Sequence, residues 1–142
     1  MATFLILQLT KTNPKLKTKA LFNWSSGKDS ALALYKTLQN PAFEIDCLLT
    51  SVNQKFQRVS MHGLRVELLQ LQAESIGLPL EIVEIPEMPT MEVYENALAT
   101  TLTQLKTRGI THSIFGDIFL EDLRQYREDK LVTMDLKGVF PL

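Results

Sequence analysis

The sequence predicts an α/β domain in three layers, a five-stranded parallel sheet with helices on both faces. Apolar runs of strand length alternate along the chain with segments of helical periodicity. The run Ile45 to Val52, IDCLLTSV, lacks in-out alternation, as a central strand covered on both faces should. The first run stops at a Ser/Gly turn that opens directly into a helical pattern. Strands regularly separated by helices imply right-handed crossovers, and hence a parallel sheet.

At 142 residues the chain is one ordinary domain, with no internal repeat or low-complexity tract. A hydrophobic content of 45% with 22% charged residues places it in the globular range. A formal net charge of −1 argues against a general nucleic-acid or membrane surface and makes nucleic acid an unlikely partner class. Cys47 is the single cysteine, which excludes an internal disulfide and a Cys-based zinc site; it reads as core, and a reducing cytoplasm is the expected location. No stretch reaches the roughly 20 apolar residues of a membrane span.

Residues 1–17 read as a loosely held extension, with an extra edge strand or an apolar docking tag (Phe4 to Leu7) as alternatives. Residues 18–142 form the domain. Ala20 to Trp24 is the first strand. The helix after Ser30 carries Ala31, Leu34, Tyr35 and Leu38 on one face and ends near Asn40-Pro41. Ile45 to Val52 is the second strand, followed by a polar loop from Asn53 to Met61. Gly63 to Ile76 is helical, with Leu64, Leu68 and Leu71 inward, closed by Gly77 and Pro79.

Leu80 to Ile85 is the third strand. Pro86 and Pro89 lead into a helix with a Tyr94, Leu98, Leu102, Leu105 stripe that ends at Gly109. Ile110 to Phe115 is the fourth strand and breaks at Gly116-Asp117. Glu121 to Met134 is a charged helix with Leu123, Tyr126 and Leu131 inward. Val139 to Leu142 opens a fifth strand, an exposed sheet edge that predicts homo-oligomer formation.

The turn Ser25-Ser26-Gly27-Lys28-Asp29-Ser30 carries the chemistry. A strand-loop-helix turn aims free backbone N–H groups and the positive end of a helix dipole at one point, which is an anion site. Gly27 permits a close approach, the hydroxyls of Ser25, Ser26 and Ser30 add donors, and Lys28 adds charge. Asp29 is suited either to hold a metal or to cap the helix. A Walker A loop would need glycine at Phe22 and Ser or Thr at Asp29, and has neither.

The hexapeptide instead resembles the PP-loop of the ATP pyrophosphatase superfamily, S-G-G-x-D-S, with Ser26 in place of the first glycine. Asn23 to Ser30, then Met61-His62-Gly63-Leu64-Arg65, Phe115-Gly116-Asp117-Ile118 and Tyr126-Arg127-Glu128 together resemble the diphthine–ammonia ligase-related branch over Lys19 to Leu142. The resemblance implies an adenine nucleotide alpha hydrolase-like fold with strand order 3-2-1-4-5. That order puts the ends of the first and fourth strands side by side at the topological switch point. Members of that branch continue beyond Phe140-Pro141-Leu142, so the chain reads as a C-terminally short member or a fragment.

The implied activity is an AMP-forming ATP-dependent ligase, in which ATP and Mg2+ activate a small or protein-borne carboxylate as an acyl-adenylate and ammonia converts it to an amide. Ser25, Ser26, Gly27, Lys28, Asp29 and Ser30 would hold the β and γ phosphates, and Asp29 and Asp117 the magnesium. The backbone at Leu49, Thr50 and Ser51 would read the adenine edge. His62, Arg65, Gly116, Asp117 and Arg127 would face the α phosphate or the substrate carboxylate. Two other functions fit the same loop: a non-catalytic adenine-nucleotide-binding module, and an RNA-modifying PP-loop enzyme. The near-neutral charge speaks against the second.

Overall fold

The computed structural model describes residues 17–60, 63–116 and 121–142. The elements are β1 (Thr18–Asn23), α1 (Lys28–Leu38), β2 (Phe43–Asn53), β3 (Arg58–Val59), α2 (Val66–Ile76), β4 (Leu80–Ile85), α3 (Met91–Lys106), β5 (His112–Phe115), α4 (Glu121–Val132) and β6 (Lys137–Val139). Three expectations lie wholly or mostly outside the described residues: the extension at 1–17, of which only Lys17 is described, His62 and Asp117.

Five strands run parallel in the order β4-β2-β1-β5-β6, which is the 3-2-1-4-5 arrangement counted over parallel strands. The chain is an α/β sandwich of the expected type. Two apolar layers sandwich the sheet. On one face, Ala33 and Leu34 of α1 and Leu69 and Ala73 of α2 pack on Phe22, Leu48, Val52 and Ile114. On the other, Leu102 and Leu105 of α3 and Leu131 of α4 pack on Leu21, Cys47, Leu49, Val83 and Phe115. The helix layer changes face between β1 and β5, so the carboxyl ends of these two strands flank the switch point.

The expected loop Asn53 to Met61 contains a strand. β2 continues to Asn53, and β3 folds back antiparallel on Val52 and Asn53. β4 occupies one edge of β2 from Leu48 to Asn53, while β1 occupies the other only as far as Leu49. A strand has two edges, so β3 sits in the lane of β1, just beyond its carboxyl end.

Several inward faces differ from expectation. On α1, Ser30, Ala33, Leu34 and Thr37 are buried, whereas Tyr35 and Leu38 are 62% and 53% exposed and Ala31 is also outside. The Thr37 hydroxyl donates to the Ala33 carbonyl at 2.7 Å, so a polar residue enters the core with its donor satisfied. On α2 the buried pair is Leu69 and Ala73, and Leu68 and Leu71 are exposed. That helix begins only at Val66, because Gly63 takes φ +67 and Arg65 is extended. Gly77 closes it at φ +84, donating to the Ala73 carbonyl as a left-handed cap.

On α4 only Leu131 is buried; Leu123 and Tyr126 face outward. The Tyr126 hydroxyl is occupied by Glu95 of α3. The fifth parallel strand is Lys137–Val139 rather than Val139 to Leu142, since Phe140 leaves the sheet to stack on Phe115, with centroids 5.2 Å apart.

Candidate functional site

The end of β1 is pinned from both sides before the chain turns. Asn23 Nδ2 donates to Ser113 Oγ and to the Ile114 carbonyl of β5, both at 2.8 Å. The Trp24 amide donates to the Leu49 carbonyl at 2.8 Å, and buried Thr50 donates its hydroxyl to the Trp24 carbonyl at 2.7 Å. The Trp24 ring is buried, with Nε1 on Gln72 Oε1 at 3.0 Å, so it packs rather than lining an open wall.

The loop then folds over the first turn of α1. The Ser25 amide donates to Ser30 Oγ at 3.2 Å. Ser26 takes φ +67, a left-handed conformation that a non-glycine residue adopts at a cost. This is the position where the PP-loop pattern has its first glycine. Gly27 is the N-cap, with extended angles (φ −82, ψ 168) and no side-chain cap bond. Asp29 therefore does not cap the helix. It lies inside the first turn, its carboxylate 3.9 Å from Lys28 Nζ, both side chains in contact with solvent.

The first acceptor-donor bond of the helix runs from the Ala31 amide to the Gly27 carbonyl, at 3.0 Å. Among the described residues no acceptor is in place for the amides of Ser26, Gly27, Lys28, Asp29 and Ser30. Successive N–H groups with no acceptor among the described residues, at the start of an eleven-residue helix, are an arrangement suited to accepting an anion.

Gly116 meets that helix start from the β5 side. A methyl carbon built there would lie 2.7 Å from Ser30 Cα, 3.2 Å from Ser30 N and 3.4 Å from the Asp29 carbonyl oxygen. The strand end and the helix start thus touch backbone to backbone, which only glycine permits.

Immediately before it, the Phe115 ring carries the Arg127 guanidinium at 4.5 Å, and Arg124 lies 4.6 Å from the Phe140 ring. Burial lowers the pKa of Arg127. It remains a cation in a partly desolvated place beside the strand end, where its field is less screened. Cys47 sits deep under α3 with its thiol pushed up to about 12, by burial first and then by the neighbouring Asp46 carboxylate. It is inert core.

The structure brings Ser25 to Ser30, Gly116 and Arg127 to the ends of β1 and β5. Leu49 and Thr50 anchor the entry to the loop, and the Ser51 carbonyl accepts from the Ser60 amide at 3.0 Å. Arg65 is exposed; its carbonyl accepts from the Leu68 and Leu69 amides, and among the described residues nothing links its side chain to the loop.

Sequence reasoning passed over a cleft of about 360 Å³ between the β2–β3 hairpin and the start of α3, lined by Asn53, Phe56, Arg58, Ser60, Pro86 and Tyr94 among others. A pointer was present in Asn53, whose Oδ1 accepts from the Lys55 and Phe56 amides in an Asx-type turn.

Among the described residues no group of three His, Cys, Asp or Glu side chains is gathered to hold a metal. Magnesium that accompanies a nucleotide takes only one or two carboxylates and is otherwise held by phosphate oxygens and water. Asp29, in the first turn beside those amides, suits that donor set. Among the described residues no helix is long and apolar enough to cross a membrane.

A family model described as the diphthamide synthase N-terminal domain matches residues 17–135. No curated protein matches the chain.

Proposed function

The chain belongs to the diphthamide synthase N-terminal domain family of the PP-loop superfamily, and from that premise we propose that it binds ATP and activates a carboxylate with release of AMP and pyrophosphate. The observation that carries this reading is the run of unspent amides from Ser26 to Ser30, closed on one side by the Gly116 contact.

In this reading the amides of Ser26 to Ser30 hold the β and γ phosphates. Cleavage between the α and β phosphates leaves negative charge on the departing pyrophosphate. Donors already fixed by the loop stabilise that charge without reorganising, which lowers the barrier. Lys28, whose side chain is 91% exposed, adds a mobile positive charge at the mouth. Asp29, with Asp117 from the segment after Gly116, would supply carboxylate oxygens to the magnesium that accompanies the phosphates, and this ion would screen their charge. Arg127 supplies positive potential near the α phosphate from its seat on Phe115.

The carboxylate oxygen attacks the α phosphorus as the bond to pyrophosphate breaks, giving an acyl-adenylate. Ammonia then displaces AMP and leaves an amide. Incubation with ATP, ammonium and a panel of carboxylic acids tests this: AMP and pyrophosphate in equal amounts are expected, and ADP with phosphate would refute it.

A further inference from the structure

The cleft beside the β2–β3 hairpin has a chemistry of its own. Its walls are largely apolar, from Phe56, Pro86 and their neighbours, while the polar groups among its lining residues are mostly hydrogen-bond donors. Arg58 spends one N–H, on the Gly63 carbonyl at 2.8 Å, and among the described residues the rest of its guanidinium has no acceptor. The hydroxyls of Ser60 and Tyr94 and the Asn53 amide nitrogen likewise have no acceptor among the described residues. Lys55 is paired with Glu87 at 3.0 Å, which links the hairpin turn to the segment after β4. A guanidinium with several neutral donors above apolar walls suits a carboxylate on an apolar stem.

Its position suits the same role. Trp24 enters the loop bonded to Leu49, and Ser60 of the hairpin is bonded to Ser51. Two residues along a strand span about 7 Å, so the wall of the cleft stands one short step from the loop, in the lane of β1.

We propose that this cleft is the acceptor subsite, receiving a carboxylate on an apolar stem, with Arg58 as the group that anchors it. The word acceptor rests on the function proposed above; the binding itself does not.

Amide-resolved NMR titration of the full chain tests it, with hexanoate as the probe and hexanamide as its neutral counterpart. Hexanoate should shift the Asn53, Arg58 and Ser60 amides with a dissociation constant in the roughly millimolar range, and hexanamide should bind about tenfold more weakly. Arg58→Gln should reduce hexanoate affinity about tenfold and Tyr94→Phe a few-fold, with the response of the loop amides to ATP unchanged in both.

Equal binding of the acid and the amide, an unaltered affinity in Arg58→Gln, or no shifts in the cleft at roughly 50 mM hexanoate would each overturn the proposal. Hexanoate binding without any ATP response would remove the nucleotide reading and leave the carboxylate cleft standing. An ATP response without hexanoate binding would remove the cleft alone.

Discussion

Gly116 lies so close to Ser30 that a methyl carbon on it would be 2.7 Å from the Ser30 Cα. This contact joins the end of β5 to the first turn of α1 and so fixes both the rotation of the helix and the direction of its free amides. Gly116→Ala must push the helix start away. We expect a loss of roughly 1–3 kcal/mol in urea unfolding, with weaker ATP binding measured by calorimetry. Unchanged stability and affinity would show that the two backbones are free to part.

Ser26 stands in a left-handed conformation at φ +67. Glycine relieves that strain while adding freedom to the unfolded chain, for a net gain of about 0.5–1 kcal/mol. Ser26→Gly is therefore expected to raise the unfolding midpoint and leave ATP affinity at least as high. A lower midpoint would indicate that the serine hydroxyl contributes more than the backbone strain takes away.

Thr50 holds the entry to the loop through its buried bond to the Trp24 carbonyl. Thr50→Val keeps the shape and removes the donor, and the expected loss is about 1–2 kcal/mol. Hydrogen exchange at Trp24 and Ser25 should quicken. Exchange unaltered at these amides would place the pinning elsewhere.

The fold was legible where the chain is continuous and apolar. Ile45 to Val52 and Leu80 to Ile85 read as strands because a sheet covered on both faces leaves no polar side, and the family resemblance supplied their order. The inward faces of α1 and α4 were hidden for a different reason. Ser30 and Thr37 enter the core with their hydroxyls bonded to backbone carbonyls, and Arg124 and Arg127 cover Phe140 and Phe115 with planar cations. A hydropathy pattern places Ser30, Thr37 and Arg127 outside, although the first two are buried and the third is half-buried.

β3 escaped because two residues leave no period to detect. With it went the cleft, whose lining comes from segments as far apart in the chain as Asn53 and Tyr94. In the loop itself, one backbone angle bears on the motif. The one departure from the pattern, Ser26, is also the loop residue whose backbone angle glycine would adopt most easily.

His112 gives the stability a pH dependence. Burial, and then the nearby Lys137 charge, lower its pKa from the ordinary 6.5. The unfolded chain thus binds a proton more readily than the folded one, so stability is full above pH 6.5 and declines as pH falls below it, levelling off beneath the folded pKa. His112→Gln should flatten the urea midpoint against pH between about 7 and 5. An identical slope in wild type and variant would assign the dependence to other groups.

The amides of Ser26 to Ser30 allow the most direct test, an NMR titration of the full chain with magnesium ATP. Saturable shifts are expected, largest at these residues and at Gly116, and at least tenfold weaker in affinity for Asp29→Ala. Loop amides that stay unmoved at millimolar ATP while the fold is intact would contradict the account at its centre.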